Sequence, residues 1–248
     1  MYRLPAILAT GIALASLWAG YGILANVWEP SHAWRWALMS LAVFLFAIWR
    51  TWVAFRAGPV HPGGRGLSSL GTANCITLLR GLLLCALGGF IGSPEPQDLL
   101  GWVPGVIYAV AVCGDSLDGF VARLRKEASH AGEVLDREFD ALGTMIAAVV
   151  GYHYGRLPLY YLVAAGAYYL FWSALWLRAK LGRINRPLAR SGGRRAVASL
   201  QMLFLILVLV PLPRAPLRSV AAAVMAVLVL GSFVRDWLAV TGIKGRRA

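Results

Sequence analysis

Apolar residues along this chain come in long runs separated by short polar breaks. Eight runs can be drawn, at about 5–27, 33–55, 72–93, 99–121, 136–155, 158–180, 196–212 and 216–240. Such runs approach or exceed the ~18 to 20 residues that a helix needs to cross a hydrocarbon core of roughly 30 Å. The pattern therefore predicts an all-α, polytopic membrane protein with about eight transmembrane helices. The first run is too long for the apolar core of a secretory signal, and a second follows at once, so it reads as a retained helix. Residues 57–71 are a Gly/Pro/Ser linker without periodicity, expected to separate a transmembrane hairpin (1–56) from a six-helix body (72–248). No internal repeat supports the inverted-repeat plan of secondary transporters.

Composition sharpens this picture. With 59% hydrophobic and 14% charged residues and a mean hydropathy of +0.65, a soluble enzyme, a fibrous chain and a disordered tail are excluded. Lys+Arg outnumber Asp+Glu by 24 to 11, yet the positive charge lies between apolar runs, where it sets topology and meets anionic headgroups; nucleic acid is not an expected partner. One set of connections holds Arg3, Arg56, Arg65, Arg125, Lys126, the seven basic residues from Arg178 to Arg195, and Lys244, Arg246 and Arg247. The opposite set is poorer in bases: Glu95 and Asp98 with none between 92 and 98, then Arg156, then Arg214 and Arg218. The two sets alternate correctly for eight spans with both termini cytoplasmic. Cys75, Cys85 and Cys113 lack metal-ligand spacing and are expected to be buried free thiols, and the Trp and Tyr residues to form interfacial belts.

The chemistry concentrates in one stretch. Seven of the eleven acidic residues lie between Asp115 and Asp140. A carboxylate at membrane depth costs roughly 2.5 to 3.5 kcal/mol, so four clustered aspartates call for compensating positive charge. Asp115 and Asp118 are spaced i,i+3 and Asp136 and Asp140 i,i+4, so each pair shares a helix face and two facing helices would gather four carboxylates. Oxygen-only ligation suits Mg²⁺ or Mn²⁺. Gly114, Gly119, Ala122 and Gly132 leave room for a close approach, and Arg123 places a guanidinium where a phosphate could lie.

Written out, Asp115-x2-Asp118-Gly119-x2-Ala122-Arg123-x8-Gly132-x3-Asp136-x3-Asp140 resembles the signature of the CDP-alcohol phosphotransferase (phosphatidyltransferase) family, integral membrane enzymes of phospholipid synthesis, at all eight of its specified positions. Upstream, Asn74-x2-Thr77-x2-Arg80 resembles the Asn-x-x-Thr-x-x-Arg of that family's first core helix. The resemblance implies that Asp115, Asp118 and Asp136 ligate two divalent cations, that Asp140 completes the site and acts as catalytic base, and that Gly119, Ala122 and Arg123, with Asn74 and Thr77 nearby, contact the CDP moiety. It implies transfer of a phosphatidyl group from a CDP-linked donor such as CDP-diacylglycerol to an alcohol, with release of CMP, by a homodimer. The site would face the cytoplasm, in a plasma-type inner membrane.

For the acceptor, Arg137, Arg178, Arg190, Arg194 and Arg195 are candidates to bind a phosphate. The stretch from Ser173 to Arg195 loosely resembles the region of family members that use inositol phosphate, and it lacks the Ala-Arg-Glu triplet of the glycerol-phosphate branch. A phosphorylated polyol, inositol phosphate or glycerol 3-phosphate, is therefore expected, with serine or another alcohol as the alternative. A reading of a different class is an ion-binding transporter that keeps the aspartates without chemistry. Aspartate-rich membrane prenyltransferases fit less well, since their pattern places Asn where this chain has Gly114. Arg80, two turns into its helix, requires an acidic or phosphate partner. His130 reads as a loop residue, Arg235-Asp236 as an interfacial ion pair, and Tyr168, Tyr169 and Trp172 as a packing stripe.

Overall fold

A computed structural model describes the backbone of residues 3–57, 72–125, 130–188, 191–212 and 217–242, and the side chains of 10–50, 53, 79–115, 136–188, 191–212 and 218–242. In chain order the helices are α1 (Arg3–Val27), α2 (Pro30–Ala57), α3 (Thr72–Gly88), α4 (Val103–Arg125), α5 (His130–His153), α6 (Tyr161–Ala165), α7 (Ala167–Lys180), α8 (Gly192–Leu209) and α9 (Leu217–Thr241), with a 3₁₀ turn at Asp98–Trp102 leading into α4. Among the described residues there is no strand. Every predicted apolar run is largely helical. Five segments, Thr10–Val27, Pro30–Arg50, Asp98–Asp115, Gly192–Leu209 and Arg218–Thr241, are individually long and apolar enough to span a bilayer. The chain is an all-helical, polytopic integral membrane protein.

Three boundaries differ from expectation, each for a local reason. α5 begins at His130 rather than near 136, so His130 is a helical residue and not part of a loop. Hydropathy registers only the apolar part of that helix, whereas Glu133, Leu135, Arg137 and Glu138 in its first turns are good helix formers without an apolar stripe. α3 stops at Gly88, ahead of the expected 93, and the chain turns through Gly92 at φ +79°. The run 158–180 is divided at Gly166, although Gly166 N–H still donates to Leu162 O at 2.9 Å and Leu170 N–H to Gly166 O at 3.1 Å. Cys85 is a buried free thiol, but Cys113 is exposed because it lies on the outward face of α4. Cys75 lies on α3 with its side chain outside those described, and residues 58–71 of the expected linker fall outside the described residues.

The outward faces carry Trp18, Ile23, Leu170, Trp176 and Val227, all exposed, as a lipid-facing surface demands. Leu84 and Leu87 of α3, Tyr108 of α4, Val150 of α5, Tyr161 of α6 and Leu205 and Leu209 of α8 are fully buried, which places α3 in the middle, against α1, α2, α4 and α5. Since lipid is as apolar as leucine, close packing and polar ties must hold such helices together. Both are present. A Cβ built at Gly89 would lie 2.3 Å from Ser40 Oγ and 2.5 Å from the Trp36 ring, so only glycine lets α2 rest on the turn after α3; there Trp36 Nε1–H donates to Ala86 O at 2.9 Å. Toward the end of the bundle away from the aspartates, buried Arg156 donates to Val208 O at 3.0 Å and Leu209 O at 2.6 Å and pairs with Glu95. These bonds satisfy carbonyls at the C-terminus of α8 that have no partner within the helix.

Candidate active site

Beyond its first two turns α3 carries one charge, Arg80. In an apolar helix that guanidinium must meet opposite charge, and it does so on both neighbouring helices. Arg80 Nη1 lies 2.8 Å from Asp115 Oδ1 on α4 and 2.7 Å from Asp136 Oδ1 on α5, while Nη2 donates to Asp140 Oδ1. The Arg80 side chain is 4% exposed, against 28%, 43% and 32% for Asp115, Asp136 and Asp140. The arginine is thus a buried floor and the carboxylates a rim open on one side.

Helical periodicity explains why α5 contributes two residues: at i,i+4, Asp136 and Asp140 stand one turn apart on the face toward α3. The approach of α5 to α3 is close, since a Cβ built at Gly81 would lie 3.0 Å from Phe139 Cζ. Thr144 Oγ donates to the Asp140 carbonyl at 2.8 Å, satisfying the threonine within its own helix.

Asp115, Asp136 and Asp140 can each offer one oxygen such that all three lie within 4.8 Å of one another. Three carboxylates against one guanidinium leave a formal excess of two negative charges. An oxygen-only, partly open set with that excess fits a hard divalent cation. It fits zinc or copper less well, because no His or Cys is among the ligating groups.

Of the other residues singled out in the sequence, Asn74 and Thr77 lie on α3 and Asp118, Gly119, Ala122 and Arg123 on α4, outside the residues whose side chains are described; Arg190 lies outside the described residues altogether. Two of the arginine candidates meet adjacent residues of α9. Arg178 Nε–H donates to Asn185 Oδ1 at 3.2 Å, and its guanidinium stands 5.5 Å from the Trp237 ring centroid. Arg194 pairs with Asp236 at 3.1 Å, closer than the 3.8 Å of Arg235 to the same carboxylate. The expected pair within α9 is therefore dominated by a tie between α8 and α9. Arg137 and Arg195 are exposed.

Sequence reasoning passed over a second charged group beside the site. Glu138, between the two α5 aspartates, is buried. It receives Arg50 Nε–H and Nη2–H at 3.1 Å each and the Tyr168 hydroxyl at 2.9 Å. Tyr168 accordingly does more than pack, although its rings also meet Tyr169 and Trp172. The available signal was an arginine in an apolar helix, the same one that marked Arg80.

A family model described as CDP-alcohol phosphatidyltransferase matches residues 70–234. The chain belongs to the CDP-alcohol phosphatidyltransferase family. No curated protein and no solved structure gives a match. The matched stretch of this phosphatidyltransferase holds Arg80 and all four motif aspartates; α1 and α2 precede it. Membership makes the chain a membrane transferase with a CDP-alcohol substrate.

Proposed function

We propose that this protein transfers a phosphatidyl group from a CDP-linked lipid, such as CDP-diacylglycerol, to the hydroxyl of an alcohol, releasing CMP. The observation that carries the reading is the meeting of Arg80 on α3 with three of the four motif aspartates, Asp115 on α4 and Asp136 and Asp140 on α5.

Asp115, Asp118, Asp136 and Asp140 would hold two divalent cations, Mg²⁺ or Mn²⁺. When bound, these supply charge neutralisation of the diphosphate and of the departing CMP. The chain's own residues supply the rest. Arg80, at the floor, keeps the three carboxylates from repelling one another and aims them toward the open side. Asn74, Thr77, Gly119, Ala122 and Arg123 would receive the CDP group, the small residues admitting it against the backbone and the guanidinium meeting its phosphates. Asp140 takes the proton from the acceptor hydroxyl as its oxygen bonds to the lipid-side phosphorus and the bond from that phosphorus to CMP breaks.

The acceptor we favour is a phosphorylated polyol, inositol phosphate or glycerol 3-phosphate. Arg137, Arg178, Arg190, Arg194 and Arg195 are the candidates to meet its phosphate, a guanidinium fork suiting that group; Arg137 and Arg195 are exposed. The arginine-rich connections favour a site facing the cytoplasm of a plasma-type membrane, and family resemblance favours a homodimer. The test is CMP release from CDP-diacylglycerol by the purified protein, with and without Mg²⁺ or Mn²⁺, against inositol 1-phosphate, glycerol 3-phosphate, inositol, serine and no acceptor. Metal-dependent release with a phosphorylated polyol is expected. Release with serine alone would overturn the acceptor, and silence across CDP-lipids from a folded protein would overturn the reaction.

A further inference from the structure

We infer that Arg50, from the helical hairpin that precedes the family-matched stretch, is a positioning residue for the aspartate site, acting through Glu138. The inference rests on the reading of the aspartates as cation ligands.

Glu138 lies two residues from both Asp136 and Asp140. At roughly 100° per residue it projects from the opposite side of α5. Burial of its carboxylate, 7% exposed, is tolerable only with partners, and every partner found comes from behind the site. Arg50 of α2 meets it as a fork, with Nη2 3.0 Å from Oε2 and 3.1 Å from Oε1 and Nε 3.1 Å from Oε2. Tyr168 of α7 adds a third donor at 2.9 Å. The Arg50 guanidinium is itself held over two rings, 5.1 Å from the centroid of Tyr169 and 5.9 Å from that of Trp49. A planar fork between two rings fixes orientation in a way that a lone ammonium does not.

α5 is therefore gripped by arginines on two faces: Arg80 holds Asp136 and Asp140 in front, and Arg50 holds Glu138 behind. Rotation of α5 that carried the aspartates away from Asp115 would also pull Glu138 out of the fork. The same hairpin is also tied to α3, the helix of Arg80, nearly two turns beyond the arginine, where Trp36 on α2 donates to Ala86 O. One added element thus fixes both helices whose separation sets the spacing of the carboxylates. Second-layer partners of this kind tune metal affinity by roughly 10- to 100-fold.

The experiment uses the full chain in lipid nanodiscs and three readouts: Mn²⁺ affinity without substrate, from the electron paramagnetic resonance signal of the free ion; the Mn²⁺ dependence of CMP release; and thermal unfolding. Arg50→Gln is expected to weaken Mn²⁺ binding roughly 10-fold or more at temperatures well below unfolding, and Arg50→Lys to recover part of the loss. Arg156→Gln, at another buried pair far from the aspartates, should lower thermal stability and leave Mn²⁺ affinity unchanged. If Arg50→Gln does not fold, the neutral pair Arg50→Gln/Glu138→Gln, which can still hydrogen-bond, is measured instead, and the same weakening is expected. Wild-type Mn²⁺ affinity in a folded Arg50 variant would overturn the inference and leave Arg50 as a tether alone. A wild-type protein that binds Mn²⁺ but releases no CMP would remove the transferase reading and leave this inference standing on the binding data. One that binds no Mn²⁺ would overturn the cation site and the role of Arg50 together.

Discussion

At the residue scale the decisive contrast is between two kinds of charge in one small volume. Arg80 is buried and the three aspartates around it are partly open, so in the proposed mechanism the arginine organises and the carboxylates meet the cations and substrate. Asp115→Asn, Asp136→Asn and Asp140→Asn keep the side-chain shape but remove one charge each. Each should lower CMP release by at least about 100-fold, the scale for loss of an acid–base group, with an unchanged gel-filtration profile; a near-wild-type rate in any one would remove that residue from the mechanism. Arg80→Lys preserves the charge but replaces a fork serving three carboxylates with a single ammonium. It should fold, and lose roughly 10- to 100-fold in activity, measured in the same assay. The aspartate spacing was legible from the sequence because helical periodicity acts within a few residues. Arg80's need for a partner was legible too. That the partners are the aspartates themselves was not, because the sequence separations are 56 and 60 residues.

At the scale of elements, contacts between helices depend on small residues where backbones come near. Gly89→Val would drive a branched side chain into Ser40 and Trp36. Overpacking of this kind costs about 1 to 3 kcal/mol, so a lower midpoint of thermal unfolding in detergent is expected. Gly231 in α9 has nothing within 4 Å of its ideal Cβ. Gly231→Ala should leave the midpoint unchanged or raise it, by up to about 1 kcal/mol of helix propensity. Hydropathy identified the helices but misjudged their ends. α5 is the clear case, because its first turns are polar and its start is marked by backbone geometry rather than by apolar residues. In the arginine run, packing sets Arg178 beside Asn185 and the Trp237 ring and pairs Arg194 with Asp236, partners that proximity in sequence does not reveal.

Across the whole molecule, polar ties stand toward both ends of the helical body. Arg80 joins α3, α4 and α5 around the site, and Arg156 joins the turn after α5, the end of α8 and Glu95 before α4. Arg156→Leu would leave the partly exposed Glu95 short of its partner and two carbonyls without theirs, a loss of about 1 to 3 kcal/mol for buried acceptors left unsatisfied; the double variant Arg156→Leu/Glu95→Leu should recover whatever part the ion pair contributes in thermal unfolding. Recovery of none would show that the carbonyl bonds, rather than the ion pair, hold that end. By itself the sequence determined an all-helical membrane protein, the runs that form its helices, and a family motif of four aspartates in two pairs at helical spacing. Hydropathy and periodicity are local, and a bilayer admits few ways to satisfy a backbone. Only the tertiary structure decided that Arg80 lies beneath three of those aspartates and that Arg50, 88 residues from Glu138 in the chain, grips their helix from behind. Which charges meet depends on how helices are rotated and packed against one another, and no local pattern encodes that.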